Sequence, residues 1–76
     1  MPVSLRAAAL RTALERALDE PVHMLATERG IRLHVPAPAA HHPAWTPVLT
    51  ALRSADRWGS TDTTGTPEIW AEINEG

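Results

Sequence analysis

Four histidines are the residues with the greatest potential for chemistry in this sequence of 76 residues. A zinc site built without cysteine needs at least three histidine or carboxylate ligands that converge on one point. His41 and His42 are adjacent, so their side chains diverge, and no histidine pair has the i, i+4 spacing that places two ligands on one helix face. The sequence therefore predicts no metal site, and we interpret the histidines as exposed loop residues.

No pattern typical of an enzyme accompanies the histidines. The carboxylates are scattered rather than paired for general acid–base work. The four glycines are isolated, so there is no glycine-rich loop for phosphate, and the serines lack a nucleophile-elbow context. A chain this short also leaves little room for a substrate pocket. We therefore predict a non-enzymatic protein with no catalytic residue, no cofactor and no small-molecule substrate.

Composition and charge restrict the class of protein further. The sequence has no cysteine, which excludes disulfides, and its 43% of hydrophobic residues is typical of a folded domain. The net charge of −2 argues against a broad phosphate-binding surface. No apolar run approaches the length of a membrane span, and the first residues lack the apolar region of a secretory signal. These features predict a cytoplasmic protein without membrane association.

Local patterns in the first part of the chain predict helix. Ser4 is a good N-cap residue, and strong helix formers follow it over residues 5–19, with apolar positions at steps of four and three. Pro21 interrupts this helix. Either the helix kinks at this proline, or a second short helix forms over residues 22–29, with Gly30 as the left-handed residue that ends it.

Alternation and proline content assign the middle of the chain. Residues 31–35 alternate apolar and polar side chains, which predicts a half-buried strand. Residues 36–43 contain three prolines and predict an extended connector that could hide one helical turn. A helix then begins at Thr46-Pro47 and ends near Ala55.

The last segment predicts a β-hairpin. Residues 57–61 and 67–73 flank a five-residue loop in which Gly65 can adopt a positive φ. In the register that we expect, Trp58 lies directly opposite Trp70 on the same face of the hairpin.

These elements predict one α+β domain over residues 1–76, in the order α-(α)-β-α-β-β. Two or three helices pack on a small three-stranded antiparallel sheet that ends in the C-terminal hairpin. The strand at 31–35 pairs with the hairpin, because an isolated hairpin is marginal in water. Residues 74–76 are expected to fray.

The predicted helices are too few to cover both faces of the sheet, which predicts a function in protein interaction. A domain of this size buries only about 60% of its surface, and so few helices leave one sheet face or helix stripe exposed. We predict a small interaction, accessory or regulatory protein that binds a protein partner or a second copy of itself, with a homodimer favoured. The candidate interface residues are Leu10, Leu14, Leu18, Trp58 and Trp70.

An alternative function is DNA binding. A helix that runs into a hairpin resembles the recognition helix and wing of a winged helix-turn-helix domain, over about residues 31–73 and in the order of elements alone. The resemblance implies contacts to bases and phosphates from hydroxyl and arginine side chains. The candidate residues are Thr46, Thr50, Arg53, Ser54 and Arg57.

The absence of a plausible ligand set yields a first prediction. Adding a chelator of divalent cations should leave the melting temperature unchanged, as measured by circular dichroism. A structural metal contributes many kcal/mol to folding, so a fall of several degrees would contradict this prediction.

Overall fold

A computed structural model describes residues 5–62 and 65–74. Within these residues the chain forms two helices and one four-stranded antiparallel sheet, with strand order β1-β2-β4-β3. The architecture is therefore α+β. The elements are α1 (Leu5–Leu18), β1 (His23–Ala26), β2 (Gly30–Pro36), α2 (Trp45–Leu52), β3 (Arg57–Thr61) and β4 (Glu68–Asn74).

The predicted α+β class, the first helix and the C-terminal hairpin are confirmed, and β2 pairs with the hairpin strand β4 as expected. Two details are wrong: the sheet has four strands rather than three, and residues 22–29 form no helix. They form β1 and a tight turn in which the Thr27 hydroxyl accepts hydrogen bonds from the N–H groups of Arg29 and Gly30, at 3.3 and 3.1 Å. A side chain that satisfies turn amides in this way competes with helix.

Chain order and strand pairing divide the molecule into two αββ units. α1 precedes the hairpin β1–β2, and α2 precedes the hairpin β3–β4. The second strand of each unit pairs with its counterpart at the centre of the sheet, with Leu33 opposite Ala71. This arrangement leaves β1 and β3 as the two edge strands.

Both helices cover the same face of the sheet and bury its apolar side chains. On β2 and β4 the inward residues are almost fully buried, and α1 and α2 supply the opposite layer. A buried leucine or isoleucine of this kind costs about 2–5 kcal/mol when it is truncated to alanine. The largest fully buried side chains are Leu10, Leu14, Leu33, Val35, Val48, Leu52, Ile69 and Ile73.

The end of α1 is fixed by local backbone geometry and by one carboxylate. Asp19 follows the helix with a φ of 54°, in the left-handed region, and Pro21 prevents the helix from continuing. The Glu15 carboxylate accepts a hydrogen bond from the Val22 N–H at 3.1 Å, which turns the chain into β1. This bond, helped by Arg11, lowers the pKa of Glu15 below its ordinary value.

A second carboxylate ties three segments together. Asp56 accepts a hydrogen bond from the Asn74 N–H at 2.7 Å and an ion pair from Arg6 at 3.3 Å. Arg6 also donates to the Ser54 carbonyl at 3.0 Å, so α1 is joined to the turn before β3. The Asn74 hydrogen bond, followed by that of Arg6, lowers the pKa of Asp56. Asn74 is thus held at the end of β4.

The proline-rich connector contains turns and no helical turn over residues 37–44. The Trp45 indole N–H donates to the Ala39 carbonyl at 2.8 Å, and the Ala44 N–H donates to His42 Nδ1 at 3.0 Å. These bonds anchor the connector to the start of α2.

Some expectations fall outside the described residues, namely the N-cap role of Ser4 and the fraying of Glu75 and Gly76. Gly65 is described, and its φ of 80° confirms the positive φ predicted in the hairpin loop. Across residues 5–62 and 65–74, neither helix is both long and apolar enough to cross a membrane.

The two carboxylates predict loss of stability in acid. Both folded-state pKa values lie below the ordinary values of 4.5 for Glu15 and 3.8 for Asp56, so the unfolded chain takes up protons first as the pH falls. The stabilisation is complete above the ordinary values and is lost as the pH falls through the lowered ones. Urea midpoints measured from neutral pH down to about pH 3 should show this decline.

Asp56→Asn supplies the test of that assignment. The variant should be less stable than the wild type at neutral pH and should lose less stability in acid. Asp62→Asn, at an exposed position, is the matched control and should retain the wild-type pH dependence. Equal acid sensitivity of the Asp56 variant and the wild type would contradict the assignment.

Candidate interaction site

Strand alternation divides the side chains of the sheet between a helix-covered face and a helix-free face. On the two central strands every second side chain is buried under the helices. The side chains between these buried ones point to the opposite side of the sheet. The registers extend the same division to both edge strands. We call this helix-free surface the open face; its side chains are those of His23, Leu25, Arg32, His34, Pro36, Arg57, Thr61, Glu68, Trp70, Glu72 and Asn74.

Trp70 lies at the centre of the open face and is held from two sides. Its indole packs against the backbone of Gly59 on β3, where an added Cβ would lie 3.0 Å from Trp70 Cζ2. The Arg32 guanidinium carbon lies 4.6 Å from the ring centroid, which is a cation–π arrangement. The indole therefore lies between the backbone of β3 and the Arg32 guanidinium.

Glu72 extends this arrangement into a charge network. Its carboxylate contacts Arg32 at 3.5 Å and Arg57 at 3.8 Å. Arg32 Nε is buried and finds no hydrogen-bond partner among the described residues, while about a third of the side chain (34%) stays exposed. The guanidinium thus stacks on the indole and keeps part of its surface available to a partner.

The two tryptophans do not share a face, so the predicted cross-strand pair is wrong. In the observed register Trp58 lies opposite Ala71, and Gly59 lies opposite Trp70. The predicted register is one residue off along β4, because Thr61 lies opposite Glu68 and not opposite Pro67. A slip of one residue moves a strand's side chains to the other face.

Trp58 consequently lies on the helix-covered side, at the outer edge of the sheet. Its exposed fraction is 46%, so neither helix covers it. Leu10 and Leu14, from the candidate stripe on α1, are buried at 2% and 1% exposure in the protein's own core, and Leu18 packs beside them. A substitution at Leu14 would therefore report on core packing, whether or not a partner binds.

Four of the candidate DNA-contact residues lie on α2 or just after it, whereas Arg57 lies on the open face, on the other side of the sheet, beside Glu72. Thr46, Thr50, Arg53, Ser54 and Arg57 are all exposed. Two of their hydroxyls are engaged within the helix region: Thr50 donates to the Thr46 carbonyl at 3.1 Å and Ser54 to the Ala51 carbonyl at 2.8 Å. The segment between β2 and α2 lacks the helix that a winged helix-turn-helix domain has before its recognition helix.

The histidines occupy two different settings. His41 and His42 are exposed in the connector, whereas His23 and His34 are directly opposed across β1 and β2 on the open face. Sequence reasoning missed this pair because it assigned His23 to a helix. No three His, Asp or Glu residues in the described part of the chain are grouped so that they could hold a metal ion.

A shallow depression of about 390 Å³ lies at the end of the sheet near the β1–β2 turn. Glu28, Arg29, Arg57 and Glu72 line it with charges of both signs. Its mixed charge indicates no single class of small ligand.

Comparison with known proteins adds no identification. No family model, no curated protein and no solved structure matches the chain.

The contact between Gly59 and Trp70 predicts the effect of one methyl group. Gly59→Ala should displace the indole and lower the free energy of unfolding by about 1 kcal/mol, as overpacking does. The Trp70 indole N–H resonance should shift at the same time. Thr61→Val, two residues along the same strand, is the control and should leave that resonance in place. An unshifted resonance in Gly59→Ala would contradict the packing.

Proposed function

We propose that this chain is a small non-enzymatic interaction protein, accessory or regulatory in kind, that docks a protein partner on its open face. The observation that carries the proposal is the central tryptophan, held between Gly59 and Arg32 on a sheet face that no helix covers. Tryptophan and arginine are the side chains most enriched among residues that dominate binding energy.

Pre-organisation of these side chains supports the proposal. Ordering a flexible side chain at an interface costs about 0.5–1.5 kcal/mol. Arg32 and Arg57 are already restrained by Glu72, and the Trp70 indole rests on backbone, so part of this cost is met in the unbound protein. The patch can therefore present its central residues to a partner with little rearrangement.

Charge supports a partner of mixed polarity rather than a polyanion. The open face carries two arginines, Arg32 and Arg57, and two glutamates, Glu68 and Glu72, and Glu72 lies opposite both arginines. Phosphate would be repelled by these carboxylates, whereas a protein surface with both donors and acceptors would complement them. The chain's net charge of −2 favours the same choice.

Site-specific photo-crosslinking tests the docking face. A photoreactive residue at His34, on the open face, should yield a discrete protein adduct when the chain is expressed in its native host. The matched control places the photoreactive residue at Thr12, which is exposed on α1, and should yield no adduct. Trp70→Ala should reduce the His34 adduct while circular dichroism shows the fold retained.

The outcome at the two positions decides between the candidate functions. Docking on the open face would be contradicted if only the photoreactive residue at Thr12 gave an adduct. It would also be contradicted if Trp70→Ala left the yield of the His34 adduct unchanged. A salt-dependent mobility shift of duplex DNA that Arg53→Ala and Arg57→Ala abolish would instead establish the DNA-binding alternative.

A further inference from the structure

β3 is an edge strand with little of the protection that such an edge usually has, because after Arg57 it contains neither charge nor proline. We propose that a second copy of this chain pairs with β3 in antiparallel orientation, across a two-fold axis that passes by Gly59. This homodimer uses the strand edge and leaves the centre of the open face, Trp70 and Arg32, uncovered, so it goes beyond docking on that face.

The hydrogen-bonding parity of the sheet shows which groups of β3 point outward. The Ala37 N–H donates to the carbonyl of Pro67, the residue before β4. Because backbone groups of successive residues point to alternate sides of a strand, the N–H and C=O groups of the odd-numbered residues of β4 point toward β2. The Asp56 N–H bonds to the Glu72 carbonyl, so the even-numbered residues of β4 bond toward β3. Their partners on β3 are the odd-numbered residues. The N–H and C=O groups of Trp58 and Ser60 therefore point away from the sheet.

These outward groups are complementary to themselves. If two β3 strands meet with Gly59 on the axis, Trp58 of one copy faces Ser60 of the other, and the reverse pair follows by symmetry. Each pair exchanges an N–H and a C=O in both directions, as a hydrogen-bonded antiparallel pair does. This register satisfies all four outward groups of Trp58 and Ser60 in each copy, which is what an isologous interface requires.

The other edge strand is better protected. β1 has only four residues, follows Pro21 closely and ends at the charged turn of Glu28 and Arg29. Short length, proline and charge are the common devices that prevent edge pairing. β3 has five residues, and after Arg57 it contains neither charge nor proline. The self-pairing surface is therefore β3.

The exposed side chain of Trp58 also favours a second copy of the chain as the partner of β3. Trp58 is on the helix-covered side of the sheet, next to the outward groups of β3. At this edge it lies beyond both helices, and it is 46% exposed. In the proposed register the two Trp58 side chains are diagonal neighbours, within the reach of aromatic side chains across a strand pair. A second copy would thus cover an apolar side chain that the monomer leaves in water.

The proposed dimer joins two sheets into one of eight strands. Because the axis is perpendicular to the sheet, both open faces lie on the same side. One short strand per copy buries less than the roughly 800 Å² per partner of a standard interface. We therefore expect dissociation in the micromolar range and a mass that depends on concentration.

Hydrogen exchange and sedimentation velocity together test this pairing. As the concentration rises, the mass should approach twice 8.3 kDa. The amides of Trp58 and Ser60 should become protected over the same range. The Gly59 amide, which already bonds within the sheet, should be protected at every concentration. A monomer at hundreds of micromolar, or exchange at Trp58 and Ser60 that never changes, would overturn the proposal.

Matched proline variants locate the edge. Ser60→Pro removes an outward donor and no bond to β4, so it should hold the protein monomeric with little loss of melting temperature. Ala26→Pro makes the equivalent change on β1 and should leave the dimer intact. Trp58→Lys, compared with Leu25→Lys on β1, repeats the test without proline. A dimer that survives both β3 changes, or that is lost only with the β1 changes, would reject β3 as the interface.

The same variants separate this proposal from docking on the open face. Ser60→Pro leaves Trp70 and Arg32 unchanged, so its monomer should still give the foreign-protein adduct from a photoreactive residue at His34. Loss of self-association with retention of that adduct is the expected result. An adduct made only of a second copy would contradict both proposals, because it would place self-association on the open face near β2 instead of at the β3 edge.

Discussion

The antiparallel pairing of β2 with β4 is the constraint on which the rest of the structure depends. In its register Leu33 faces Ala71 and Val35 faces Ile69, so one side of both central strands is uniformly apolar. Two helices are enough to cover that side, and neither helix is available for the other. The remaining face carries mostly charged or polar side chains around a single tryptophan, together with the exposed apolar side chains of Leu25 and Pro36.

The architecture around that tryptophan follows from the same pairing. Because Trp70 is on β4, it has β2 on one side and β3 on the other, and each neighbour contributes to holding it. β2 supplies Arg32, which stacks on the indole, and β3 supplies Gly59, whose missing side chain leaves room for the ring. Glu72, two residues further along β4, then pairs with Arg32 and Arg57. The patch is thus a product of three strands from distant parts of the chain.

This origin explains how much the sequence could predict. The periodicity of residues 5–19 and the alternation of residues 31–35 are local signals, and both predicted their elements correctly. β1 is only four residues long, and its side chains suit a short helix as well as a strand, so no local signal decided between them. The roles of Arg32 and Gly59 depend on which strands are neighbours, and local patterns carry no such information. Leu10 and Leu14 were correctly seen as one apolar stripe, which the core buries.

The register of the C-terminal hairpin shows how a small local difference separates two kinds of surface. Had the strands paired one residue earlier, both tryptophans would lie on one face and Gly59 would face Ile69. In the observed register the indole of Trp70 packs on Gly59, and Trp58 moves to the other side, where it meets the sheet's edge beyond both helices. The side chains around Trp70 and the backbone edge of β3 are therefore two separate surfaces. The first faces away from the plane of the sheet, and the second lies in that plane. In the proposed dimer, pairing along β3 involves Arg57 and Thr61 at the rim of the open face but not Trp70 or Arg32 at its centre, so the centre stays free for a partner.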